Sequence, residues 1–245
     1  MRTANPALNE RTFSRGHVAA GEGVMTIEGA VNRTIILVGI LLVAGAFAWD
    51  RAANADPMAG GLVMIGAIGG FVVALVTIFK PRAAPVTAPL YAALEGLVLG
   101  GVSAFLNQQF AGIAMQAAAL TAGTLFCLLV AYRSGLIRAT ENFKLGVTAA
   151  TGAIAMLYIV SLVMRMFGTE MPLLHDNSMM GIGLSLFIVV IAALNLVLDF
   201  DFIEQGAEAG LPRYMEWYAG FGLLVTLVWL YLEILRLLVK LRSDD

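Results

Sequence analysis

Seven apolar stretches, each close to the length that crosses a bilayer, decide what this chain can fold into. They run roughly over residues 34–50, 58–79, 88–107, 110–132, 145–167, 180–203 and 214–238. A helix rises 1.5 Å per residue, so about 20 apolar residues span the hydrocarbon core. Composition agrees: 60% of the 245 residues are hydrophobic and 13% charged. Soluble domains sit nearer about 45–50% apolar and about 25% charged. A water-soluble fold of this size has too little interior to hide so much apolar surface. The expectation is an all-α integral membrane protein, a seven-helix bundle over 32–245 behind a polar N-terminal tail, 1–31.

The first run is the shortest, and residues 24–33 extend it as an interfacial turn. Polar and helix-breaking residues punctuate the rest. Asp56-Pro57 opens the second run, and Lys80-Pro81-Arg82 with Pro85 and Pro89 separates the second from the third. Asn107-Gln108-Gln109 reads as a tight third-to-fourth link. Arg133 to Lys144 and Gly168 to Ser178 are the next loops, and Gly210-Leu211-Pro212 precedes the last helix. The tail has no continuous apolar core of the kind a cleaved leader needs. With the N-terminus inside, ten Lys and Arg residues fall on the inner side and five on the outer. This predicts a cytoplasmic N-terminus in the cell (inner or plasma) membrane.

A net charge of −2 gives no reason to expect nucleic acid as a partner. The lone Cys127 can close no internal disulfide, and His17 and His175 both lie outside the apolar runs. No nucleophile–base pair or metal-ligand spacing converges, so neither an enzyme nor a bound cofactor is expected. Gly66-x-x-x-Gly70, Gly96-x-x-x-Gly100 and the pair Gly220 and Gly222 offer surfaces for close helix packing.

Carboxylates inside apolar runs are expensive and so carry the functional expectation. Glu95 lies about 10 Å into the third helix from its inner end, Asp199 about 15 Å from the inner end of the sixth and Glu216 about 6 Å into the last. These three belong to one inner-half cluster in this reading. Asn195 is four residues before Asp199, on the same helical face, where an amide can serve either protonation state of an acid. Neighbouring carboxylates titrate as a pair, which suits a proton-sensitive gate, and their oxygens suit a hard cation such as calcium, with Asp199 and Glu95 as ligands. Glu233 is some 25 Å further along the last helix than Glu216, and its expected partner is Arg236 at i+3.

The segments LNLVLDFDFIEQG and EWYAGFGLLVTLVWLYLEILRLL resemble the closing helices of the Bax inhibitor (transmembrane Bax-inhibitor-motif) family. LYAALEGLVLGGVSAFLN and MRTANPAL are similar to the third helix and the opening of its bacterial YccA-like branch. The resemblance implies seven helices with the last one central, and a pH-modulated cation leak, most often of calcium, governed by a pair of aspartates. Asp199 matches the sixth-helix member of that pair. Thr226 stands where the last-helix member falls, so Glu95 is taken as the second acid, with Glu216 at the inner mouth and Asn195 as hydrogen-bond partner. A reading of another class is a membrane-embedded regulator whose tail, residues 1–31, contacts a membrane protein such as a quality-control protease.

Overall fold

The computed structural model describes residues 23–169, 171 and 178–243. Among these, seven helices are long and apolar enough to cross a membrane, and every element with more than an isolated bridge is helical. They are α1 (Ile27–Ala53), α2 (Met58–Phe79), α3 (Ala84–Gln109), α4 (Ile113–Arg133), α5 (Glu141–Met166), α6 (Met179–Glu208) and α7 (Met215–Arg242). The chain is a multi-pass membrane protein in contact with the lipid bilayer, and its many exposed large side chains, Phe71, Phe79 and Phe126 among them, are the lipid-facing kind.

Helix ends differ from the apolar runs where capping overrides hydropathy. Helix α1 begins at Ile27 because Thr26 caps it, its hydroxyl accepting from the Gly29 amide at 2.9 Å. Asn107–Gln109 is not the third-to-fourth link: α3 runs through it. The turn is Phe110–Gly112, closed by the Gly112 amide donating to the Asn107 side-chain oxygen at 2.9 Å. Gly112 adopts φ +80°, which favours glycine. Pro85 and Pro89 lie inside α3, not before it. Pro85 occupies the first turn, where its missing N–H would have no intrahelical acceptor anyway.

Between α1 and α2, Asp56 accepts from the Met58 amide and from Arg51, each at 2.9 Å. The backbone donor first, and Arg51 second, hold this carboxyl below its ordinary range. A lowered value adds stability above the ordinary carboxylate range and loses it as pH falls through the lowered value. Asp56→Asn is therefore expected to remove a small part of the acid sensitivity of this hairpin, read as a reduced difference between melting temperatures at neutral and acidic pH.

The chain forms two compact units. Among the described residues the first comprises 23–114 with Asp199–Val225, and the second Met115–Leu198 with 226–243. In the first, α3 packs on α1 and α2 through the glycines. A Cβ on Gly66 would lie 2.5 Å from the Leu94 carbonyl oxygen, and one on Gly96 or Gly100 would overlap the α1 backbone at Leu41 or Gly45. Tyr91 meets Phe221 edge-on with centroids 4.9 Å apart, tying α3 to α7. In the second unit, buried Ile154, Ile188 and Ile191 join α5 to α6, with Tyr158 and Trp229 packed against them. Helices α3, α6 and α7 are far more buried than the other four. These three therefore carry the interior positions where a polar side chain costs most.

Candidate functional site

Six consecutive residues of α6, Asn195 to Phe200, are buried. A helix buried around its whole circumference offers none of its side chains an easy route to water. Asp199 sits in this stretch at 1% exposure. A carboxylate placed there must be matched or neutralised, since an isolated charge in such surroundings costs several kcal/mol or more.

Glu95 lies in α3, half-buried, one turn after Tyr91. Its Oε2 points at α2, close enough that a Cβ on Gly70 would stand 3.1 Å away. Glycine at position 70 thus makes room for the acid. Glu95, Asp199 and Glu216 all belong to the first unit, whereas Asn195, Glu233 and Arg236 belong to the second.

Glu216 occupies the first turn of α7 and is 2% exposed. Its Oε1 accepts from the Thr26 amide at 3.2 Å and from the Thr26 hydroxyl at 3.1 Å, which seats the carboxylate on the N-terminus of α1. The exposed amides and dipole of a helix start favour an anion there. Gly29 leaves room beside it: a Cβ at that position would overlap the carboxylate and displace it. Arg33 Nε and Arg213 Nε stand 3.8 and 3.9 Å from Oε2, ion pairs longer than hydrogen bonds. The Arg33 guanidinium also lies 4.9 Å over the Trp217 ring. Around this group the chain before α1 pairs with the turn before α7: Met25 donates to the Leu211 carbonyl at 2.6 Å and Arg213 to that of Gly23 at 2.8 Å.

In the second unit the Asn195 amide donates to the Thr151 hydroxyl and to the Ile191 carbonyl, both at 2.8 Å, joining α6 to α5. Glu233, 3% exposed, accepts from Tyr158 at 2.7 Å and from the Trp229 indole at 3.2 Å, with Arg236 at 3.2 Å. Arg236 also donates to the Tyr158 hydroxyl and lies over its ring. Near the end of α7, buried Lys240 donates to the Gly181 carbonyl at 3.0 Å.

Thr26, Arg33, Thr151 and Tyr158 were missed by sequence reasoning as partners of these acids and amides. Thr151 and Tyr158 carried a signal, each being a hydroxyl inside the apolar run 145–167. Among the described residues no group of three or more His, Cys, Asp or Glu could hold a metal ion. His17, His175 and residues 1–22 of the tail lie outside the described residues.

Matching against known proteins adds to this geometry. A family model described as Bax inhibitor 1 like matches residues 5–243. No curated protein and no solved structure matches the chain. Because the match takes in all seven helices and nearly the whole length, the chain belongs to the Bax inhibitor 1-like family of membrane proteins.

Proposed function

We propose that this protein is a pH-modulated cation leak channel, with calcium the expected ion, and that Asp199 is its central proton-sensitive group. The observation that carries the reading is the burial of Asp199, at 1% exposure, within membrane-spanning α6. Its charge state bears on how the surrounding helices sit, because the charged and neutral forms are solvated so differently in a membrane interior. Glu95 is the second acid in this reading: it shares the first unit with Asp199 and faces a position kept free by Gly70. Glu216 stands at the inner mouth, with the N-terminus on the cytoplasmic side. Asn195 supports the enclosed stretch from α6 through its bond to Thr151.

The test is cation flux into proteoliposomes at a series of pH values. Wild-type flux is expected to change with pH as the acids of the pair titrate together. Asp199→Asn should flatten that dependence, and Glu95→Gln should displace it. An Asp199→Asn profile that superimposes on wild type removes Asp199 from the mechanism. Wild-type protein that passes no cation at any pH turns the reading to a membrane-embedded regulator, for which deletion of the tail, residues 1–31, would abolish co-purification of a membrane-protein partner while Asp199→Asn would not.

A further inference from the structure

We propose that residues 23–33 form a strap that sets the position of α7, fastened by Glu216, so that a pull on the N-terminal segment is transmitted to the helix. The strap has backbone and side-chain parts. Its backbone part is the antiparallel bridge of Val24 with Pro212, flanked by the bonds of Met25 to Leu211 and of Arg213 to Gly23. Met25, 2% exposed, closes this side by packing over Gly206 near the end of α6, where a Cβ would stand 3.1 Å from its sulfur. The side-chain part is the Glu216 carboxylate on Thr26, 190 residues away in sequence.

Glu216 divides its two oxygens between two sets of partners: Oε1 accepts from Thr26, while Oε2 faces Arg33 and Arg213 at 3.8 and 3.9 Å. The Arg33 Nε is itself buried without a hydrogen-bond partner. One oxygen on Thr26 and the other towards the two guanidinium groups fix the carboxylate between the start of α1 and the start of α7, and Trp217 holds Arg33 beside it. The strap grips the turn between α6, which carries Asp199, and α7, whose Phe221 packs on Tyr91 one turn before Glu95. Its influence on flux rests on the leak reading above. Its influence on α7 does not.

The test uses the full-length protein in proteoliposomes with Cys127→Ser as background. One cysteine pair, Val24→Cys with Pro212→Cys, reports the strap. A second, Thr34→Cys with Gly220→Cys, reports the seating of α7 on α1, since a Cβ on Gly220 stands 3.2 Å from the Thr34 hydroxyl. Gly29→Ala drives a methyl group into the carboxylate without touching its charge, and Gly39→Ala, with open space around it on the same helix, is the control. Hydrogen bonds to a charged group are strong enough that losing them should lower the rate of disulfide formation in the strap pair by roughly tenfold or more. The second pair should slow as well, flux should shift, and Gly39→Ala should change none of these. Glu216→Gln, which keeps the shape of the side chain, should act in the same direction as Gly29→Ala and guards against simple misfolding of that variant. Wild-type rates for the strap pair in both variants would show that Glu216 does not fasten it. A slowed strap pair with an unchanged second pair would show that α7 does not feel it. If both pairs respond and wild-type protein conducts nothing, the strap stands and the leak reading falls.

Discussion

Gly100→Ala is expected to destabilise the protein by about 3 kcal/mol, at the upper end for an overpacked helix contact, because the new methyl group would collide with backbone. A Cβ at Gly100 overlaps the Gly45 carbonyl group, and Gly45 returns the approach with 3.4 Å between its own Cβ position and the Gly96 oxygen. A flexible side chain could step aside. The α1 backbone can move only by separating α1 from α3 along the whole contact. In lipid that contact is not restored by any hydrophobic gain, since acyl chains are as apolar as leucine. The same substitution should have the opposite sign at Gly39, where nothing lies within 4 Å. There alanine simply improves helix propensity, by up to about 1 kcal/mol. Equilibrium unfolding in mixed SDS micelles would measure both. A Gly100→Ala protein as stable as wild type would mean that α1 and α3 pack less closely than the structure has them.

The seven helices were legible in the sequence because the bilayer imposes both the length and the absence of charge on each. Their ends were less so, and the reasons are local. Arg33 reads as the polar edge of a span, yet it lies within α1, its charge resting on Trp217 and near Glu216. Pro89 reads as a breaker, but so early in α3 it disturbs little of the ladder. The glycine spacings in α2 and α3 told which residues are small, not which helix they meet: Gly66 faces α3, whereas Gly96 and Gly100 face α1. The site divides in the same way. The cost of Asp199 follows from its place in an apolar run, but its burial against protein does not, since Phe71 and Phe126 lie in such runs and are exposed. The grip of Thr26 on Glu216 joins residues 190 apart, and that of Tyr158 on Glu233 joins residues 75 apart, distances over which periodicity carries no information. Gly29 is a further case. Its need for a bare α-carbon comes from a carboxylate at the other end of the chain.

Arg236→Met should cost about 3 kcal/mol, because removing one partner of a buried ion pair strands the other. Glu233 is 3% exposed, so its carboxylate would remain with two neutral donors, Tyr158 and Trp229, in place of a charge. The Arg236 side chain is 41% exposed, and whatever water or headgroup reaches it will also soften the loss, which places the effect at the lower end of the range for buried pairs, about 3–5 kcal/mol. Glu233→Leu alone is milder: Arg236 keeps its place over the Tyr158 ring and an outlet to solvent. The double substitution Glu233→Leu with Arg236→Met replaces the pair by apolar groups of similar bulk and should recover most of the stability lost in Arg236→Met. That recovery is the decisive measurement, since coupling in a double-mutant cycle isolates the stranded charge from any lost packing. Additive single losses would mean that Glu233 is already satisfied by its neutral donors and that Arg236 contributes only its contact with Tyr158.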